Sequence, residues 1–450
     1  MKNIKLVLLV TCFSFFFIPA RRFSNGRGGF RFLPEKSGEN LSASLAPKSH
    51  ENLDSLSLYR NKNTHKKRIV IFSSSGGGGH TSVSKGLTEY LGNTYEIIVL
   101  NALQTVLSPV DMLRTITFGK VSGEDIYNLC LRCGWSNAAG KYQSLGTSYM
   151  KMRHESLVAL LLDFYKREKP DLIISVVPMM NAAFHEACQR ANIPLLVITN
   201  DLDSSTYIQA MKPPYSKQFK YCIPFDDPDI WKKLEAAKLP KEQVVVSGFP
   251  LRPEFFAPKD KEKLKNKFKV PPGKPVVMVF MGGAGSQSSY RYVRCLARIN
   301  KPMHIIVCLG RNERLKRNIS KIMLPKGVTT SLIGYTDKIA QLMAISDILI
   351  TKPGPNSVCE GLQSSVPMIL DQTFGTIWWE QLNIDFMVKH GFAEPLTDVA
   401  DLEKTLRRYF TSHDFTDRIK KRMESFQHVR FDETIKPLVE SMFIDQKGIS

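Results

Sequence analysis

Arg68-Ile-Val-Ile-Phe-Ser-Ser-Ser-Gly-Gly-Gly-Gly-His80 is a short apolar run closed by a row of glycines. A run of this length without polar alternation reads as a strand buried on both faces of a parallel sheet. Gly77, Gly78 and Gly79 let the backbone come close to a ligand. The helix predicted over Thr81–Tyr90 turns its positive end towards the same place, which suits a phosphate or an acceptor group. No Gly-Lys-Ser/Thr follows, so the turn is not a nucleoside-triphosphate P-loop, and the dinucleotide fingerprint spacing is absent.

The same unit recurs outward from this stretch. Glu96–Leu100, Asp171–Val177 and Leu195–Thr199 are similar apolar runs. Between them lie helical patterns such as Ser156–Lys169, with apolar positions three and four apart. Alternating strand and helix predicts a doubly wound α/β sheet. Val244–Ser247 leads into Gly248-Phe-Pro-Leu-Arg-Pro-Glu-Phe255 and a lysine-rich helix from Asp260. The pattern restarts at Pro275–Met281 and continues through Ile305–Leu309, Val328–Ile333, Ile348–Thr351 and Met368–Asp371. The reading is two Rossmann-like domains facing across a cleft. The first spans 68–255, and the second spans 256–450 with a helix at Arg430–Phe443 that crosses back.

The chain's 450 residues suffice for two cores. A net charge of +20 and a pI near 9.5 call for a polyanionic partner: nucleic acid, anionic lipid or a phosphorylated substrate. No zinc-finger, RNP or homeodomain pattern is present, which sets nucleic acid aside. The eight cysteines form no disulfide framework, and Cys130 with Cys133 is a lone C-x-x-C that reads as two ordinary thiols.

Residues 1–67 read as a targeting segment. Lys2 and Lys5 precede an apolar run, Leu6–Ile18, that ends at Pro19-Ala20, the layout of a secretory signal. Arg21, Arg22, Arg27 and Arg31 then sit among Ser, Gly and Phe, and the first acidic residue is Glu35. That stretch resembles a transit peptide placed second, which predicts a plastid membrane surface. The competing reading is a signal or signal anchor with a linker, on the secretory route. No later run of 18 apolar residues follows, so the folded part is expected to work from the membrane surface. Asn101–Ser156 interrupts the rhythm with Phe118, Trp135 and Tyr142 among Arg114, Lys120, Arg132 and Lys141. It reads either as a docking element for anionic lipid or as an insert packed on the first domain.

Two positions carry the chemistry. His80 stands where the glycine loop meets its helix, and a helix N-terminus keeps the imidazole neutral and able to take a proton. It reads as a general base or as a capping histidine. In the second half, Gly282-Gly-Ala-Gly-Ser286 is a further glycine turn fit for a diphosphate. Ser346-Asp-Ile-Leu-Ile-Thr-Lys-Pro-Gly354-Pro-Asn-Ser357-Val-Cys-Glu360 then runs strand, loop, helix. Glu360 lies one to two turns into that helix, where a carboxylate can accept both hydroxyls of a ribose; a solvated helix carboxylate is the alternative.

This series resembles glycosyltransferase family 28, the GT-B family of monogalactosyldiacylglycerol synthases, bacterial diacylglycerol glucosyltransferases and the lipid-intermediate N-acetylglucosaminyltransferase of peptidoglycan synthesis. The galactolipid synthase branch fits best through the glycine turn at His80, the Gly248–Phe255 seam and Thr351-Lys-x-Gly-Pro355. The resemblance implies a GT-B fold that binds diacylglycerol in the first domain and a UDP-hexose in the second. It implies that Glu360 holds the ribose, and that Gly283, Ser286, Gly354 and Ser357 face the diphosphate. Ile333 and Gly334 would meet the uracil, and Glu380, Gln381 and Asn383 the donor sugar and phosphate. Three departures stand out. Thr373-Phe-Gly-Thr-Ile-Trp-Trp379 differs from the usual loop, Thr206 and Tyr207 replace an expected His and Trp, and Thr81 replaces an arginine.

The implied reaction is a single inverting displacement with His80 as base and Asp201 as second choice or as orienter of His80. UDP-sugar is a substrate, and no cofactor or metal is expected, because no Asp-x-Asp pair closes a strand in the second half. Alternatives are a UDP-glucose donor, a sterol or polyprenyl acceptor, a UDP-sugar epimerase and a non-catalytic relative. The oligomeric state is open.

Overall fold

The computed structural model describes residues 59–60, 66–133, 135–283, 286–299, 301–373, 375–411 and 413–444. The targeting segment read over 1–67 falls almost wholly outside these residues.

The first sheet holds β1 (Tyr59–Arg60), β2 (Arg68–Ser73), β3 (Glu96–Asn101), β4 (Leu172–Ser175), β5 (Leu195–Ile198), β6 (Phe219–Ile223) and β7 (Val244–Val246). Their order is β1-β3-β2-β4-β5-β6-β7, parallel except for β1. The alternation of side chains along β2 explains its unbroken apolar sequence. Ile69 and Ile71 pack with Val83, Leu87 and Leu91 of the helix Gly79–Leu91 on one face. Val70 and Phe72 pack on the other with Leu157, Leu161 and Phe184, from the helices His154–Glu168 and Asn181–Ala191.

The second sheet holds β8 (Val276–Phe280), β9 (Met303–Gly310), β10 (Val328–Gly334), β11 (Ile348–Thr351), β12 (Met368–Asp371) and β13 (Ala393–Leu396). Its order is β10-β9-β8-β11-β12-β13, parallel throughout. These are the two Rossmann-like sheets that the strand–helix rhythm predicts, in the GT-B arrangement that the family resemblance implies. In each sheet one strand has its successor on one side and a later strand on the other: β2 between β3 and β4, and β8 between β9 and β11. Loops diverge from such a switch point at the carboxyl ends, and the resulting crevice is where open α/β sheets bind ligands.

Two chain crossings link the halves side by side. The helix Phe431–Ile444 lays Phe431, Ile435, Val439 and Phe443 on the first sheet, and the Phe431 ring meets Tyr90 edge-on at 5.8 Å. Gly248 takes φ +79°, and a Cβ there would fall 2.3 Å from the Val429 carbonyl and 2.7 Å from the Phe431 amide. Only glycine fits both that backbone conformation and that approach.

The insert is helical, with helices Met112–Ile116, Gly123–Cys133 and Ser136–Met152. Sequence reading leaves it unpatterned because the last of these carries Gly140, Gly146 and several serines where a core-facing stripe would show. Cys130 is a buried free thiol, and the Cys133 side chain lies outside the described residues. No helix among the described residues is long and apolar enough to cross a membrane.

Candidate active site

His80 lies half-buried in the first turn of its helix, at the switch point of the first sheet. Its Nδ1 is 2.7 Å from the Val176 carbonyl just past β4. A carbonyl only accepts, so Nδ1 carries the hydrogen and Nε2 is left with its lone pair. Burial holds the imidazole below its usual range, against the opposing pull of the Val176 carbonyl and the charge of Glu124. His80 is therefore neutral near pH 7 with a bare nitrogen, the state a proton acceptor needs.

The glycine loop that presents His80 is held by the insert. Glu124 accepts from Ser74 Oγ (2.5 Å), Ser75 N (3.1 Å) and Ser75 Oγ (2.5 Å). Asn128, one turn on, accepts from Gly77 N (2.9 Å) and donates to Ser75 O (2.9 Å). Gly77 has φ +74°, while Gly78 is exposed with open space around it.

Asp201 is buried at the carboxyl end of β5, with Oδ1 lacking any donor. Burial, then Glu380, then Asp203 push its carboxyl well above the usual range, against backbone hydrogen bonds from Asp203 and Leu202. Its neighbour Asn200 accepts from the Tyr207 hydroxyl, one of the two residues that stand where a His and Trp are usual.

The second wall comes from the loops after β8 and β11. Gly282 has φ +82°, Gly283 is exposed, and Ser286 Oγ lies 3.1 Å from Ser288 Oγ at the start of the helix Ser288–Arg298. Gly354 caps the helix Pro355–Gln363, with Ser357 half-buried in its first turn. A side chain on Gly354 would stand 3.8 Å from Glu380 Oε1, so its absence leaves room beside that carboxyl. Burial pushes Glu380 up to about 7, with Lys352 pulling the other way. Asn383 is fully buried, donating to Pro353 O at 2.9 Å with Oδ1 unmatched. Glu360 is buried on the inner face of its helix, pushed up to about 8 by burial. Arg252 of the first-domain seam opposes the rise and Glu254 adds to it.

Gln381, also predicted, is turned to solvent. It bonds Asp385 on its own helix at 2.8 Å. Ile333 and Gly334 end β10 half-buried, beside an exposed Tyr335 whose ring stacks under Arg311 at 4.4 Å.

The two walls touch at Gly79. A Cβ there would fall 2.7 Å from Asn356 Oδ1 and 3.1 Å from Asn200 Nδ2, so the helices starting at Gly79 and Pro355 meet end to end. A second contact joins Cys130 and Ala139 of the insert to Ile377 and Trp379 of the second domain, with Tyr127 and Trp135 packed against them. Burial, then Glu380 and Asp201, raise the Tyr127 phenol, which places its hydroxyl near both carboxyls. Sequence reading missed Glu124, Tyr127, Asn128 and Asn356. The tryptophans at 378 and 379 were visible only as a departure from pattern.

Residues 276–370, which carry this second wall, match the glycosyltransferase family 28 C-terminal domain. That match covers the central part of the second domain. Over the longer chain, 24% identity over 378 residues links it to a processive diacylglycerol beta-glucosyltransferase of Bacillus pumilus, covering 83% of this chain and 94% of that one. The chloroplastic monogalactosyldiacylglycerol synthase of Spinacia oleracea is 25% identical over 367 residues, 76% of this chain and 66% of that one. Among solved structures, MurG of Acinetobacter baumannii superposes with a TM-score of 0.53 at 12% identity, covering 83% of this chain and 99% of that one. At that identity the likeness shows the fold. The second domain, which carries the family 28 match, is thus joined to a first domain whose insert helps to build the cleft.

Proposed function

We propose that the chain transfers a hexose, galactose, from a UDP-sugar to diacylglycerol with inversion, at a membrane surface. The observation that carries the reading is a set of buried polar groups around loop 353–356 that lack partners. Asp201 Oδ1, Asn356 Oδ1 and Asn383 Oδ1 have no donor, and Glu360 and Glu380 are pushed up to about 8 and about 7. Buried acceptors are rarely left unmatched, so the ligand that completes the site brings hydroxyls, as a ribose and a hexose do. The family 28 match and relatives named for diacylglycerol as acceptor support the same reading.

The reaction balances with the residues present. The acceptor hydroxyl gives its proton to His80 Nε2 as its oxygen forms a bond to the anomeric carbon. The bond from that carbon to the β-phosphate oxygen breaks, and UDP leaves with the electron pair. The helix starts at Gly79 and Pro355 aim backbone amides at the developing charge, and preorganised dipoles of this kind often supply the largest share of catalysis.

Galactose is supported by the glycine turn, the Gly248–Phe255 seam and Thr351–Pro355, whose pattern is that of the galactolipid branch. The test is turnover of UDP-galactose against UDP-glucose with diacylglycerol in mixed anionic micelles. A higher kcat/KM for UDP-glucose reverses the sugar, and turnover of neither removes the transferase reading. The raised carboxyls Asp201 and Glu380 also suit a UDP-sugar epimerase, which would interconvert donor sugars with no acceptor present. The plastid setting rests on the leader alone, and a fluorescent fusion of residues 1–67 tests it.

Anionic lipid is the proposed surface. Phe118 is 93% exposed and Ile116 48% exposed at the tip that follows the helix Met112–Ile116, beside exposed Lys120. Trp135, expected to insert into lipid, is instead half-buried against the cluster at the cleft.

A further inference from the structure

The reading of His80 as the base leaves open what stabilises the imidazolium that forms when it takes the proton, since its Nδ1 faces a carbonyl and not a carboxylate. The insert supplies a buried acid. Glu124 is 5% exposed and accepts five hydrogen bonds: from Ser74 Oγ, Ser75 N, Ser75 Oγ, Asn101 Nδ2 and Gln104 Nε2. All five donors are neutral. A carboxylate taken out of water is costly unless its lone pairs are filled, and five donors on two oxygens fill them without cancelling the charge. The donors come from three parts of the first domain: the glycine loop, the end of β3 and the segment after it. Asn128 completes the clasp through Gly77 N and Ser75 O, so both sides of the loop that presents His80 are fixed by one helix.

We propose that Glu124 is a positioning residue for the reaction: it fixes the glycine loop and places a buried negative charge that favours His80 once protonated. This rests on His80 being the base. Bonds to Ser74 and Ser75 alone would serve a structural role, and a glutamine or a serine could make several of them. The charge is what a neutral residue cannot replace. It acts through space, because the imidazole's own hydrogen bond goes to the Val176 carbonyl. The groups facing His80 are Glu124 from the insert and the Val176 carbonyl just past β4. Glu380, raised to about 7, lies in the second domain and is unchanged in the variants compared below.

The test uses the pH profile of kcat/KM for the full chain with UDP-galactose and diacylglycerol micelles. Glu124→Gln keeps the shape and removes the charge. It is expected to lower kcat at least tenfold with UDP affinity within twofold. Without the anion His80 holds its proton less well, so the acid limb should move down by on the order of half to one pH unit. Glu124→Asp retains charge and should restore the limb while recovering only part of the rate. If the glutamine variant does not fold, Asn128→Asp adds a second carboxylate one turn away and should move the limb up. A limb that stays put in each folded variant overturns the proposal. His80→Gln separates the layers. Loss of activity there with an unmoved limb in Glu124→Gln defeats the role of Glu124 and spares the base, whereas an active His80→Gln defeats both.

Discussion

Glu360 shows what a single residue costs the empty protein. Burial raises its carboxyl from the usual range to about 8, with only Arg252 opposing. In the folded chain it keeps its proton over a window, from about 4.5 to 8, in which the unfolded chain has lost it. The native state therefore binds more protons there, and stability falls as pH rises through that window. Glu360→Gln removes the titration and should stabilise the ligand-free protein at pH 8 by on the order of a few kcal/mol, seen as a higher melting temperature. The same change leaves ribose hydroxyls with a poorer acceptor, at about 1–3 kcal/mol of UDP binding. Calorimetry that finds UDP affinity unchanged sinks the ribose assignment, and a melting point that does not rise sinks the burial argument. Glu380 belongs to the same set. Its carboxyl, raised to about 7, sits beside the space that Gly354 leaves open, so donor binding should change near neutral pH in the protein with glutamine at 360.

At the scale of elements, the seam is the tightest point. Gly248→Ala would force a Cβ to 2.3 Å from the Val429 carbonyl at a positive φ. Overpacking against backbone costs about 1–3 kcal/mol, and the left-handed conformation adds roughly 1–2 kcal/mol. Denaturant unfolding should show a loss of that size, while Gly78→Ala, in open space, should show little. The strands of both sheets were legible because parallel strands buried on both faces are written as unbroken apolar runs, as at Arg68–Ser73 and Ile348–Thr351. β6 was not, since Lys220 interrupts Phe219–Ile223, and β13 carries Glu394 and Pro395 at the sheet edge. Among site residues, those on glycine turns could be found by position along the chain. Glu124, Asn128 and Tyr127 could not, because their role depends on a helix docking back onto a loop about 50 residues earlier, and no local pattern encodes that contact.

For the whole molecule, charge and exposed apolar surface bear on where the enzyme works. If leaving-group charge is met by the helix starts at Gly79 and Pro355, turnover should survive a chelator such as EDTA, and abolition restored by a divalent ion would replace that mechanism. Membrane docking is the wider claim. The +20 charge is a property of the full sequence, so it predicts attraction to anionic bilayers without saying which face is used. Phe118 and Ile116, exposed at the tip of the insert beside Lys120, are the face proposed for it. A basic residue near an anionic surface is worth about 1 kcal/mol, and the attraction fades over a Debye length of about 10 Å at 0.1 M salt. Vesicle binding by the chain from Arg68 onward should therefore rise with anionic lipid and weaken with salt. Phe118→Ser with Lys120→Glu should cut binding several-fold and lower turnover of micellar lipid, with UDP affinity unchanged, because neither side chain takes part in the contacts of Glu124 and Asn128 that hold the glycine loop. Equal binding of that double variant would move the docking face elsewhere. Equal binding of the parent protein to neutral and anionic vesicles would leave apolar insertion as the cause of attachment.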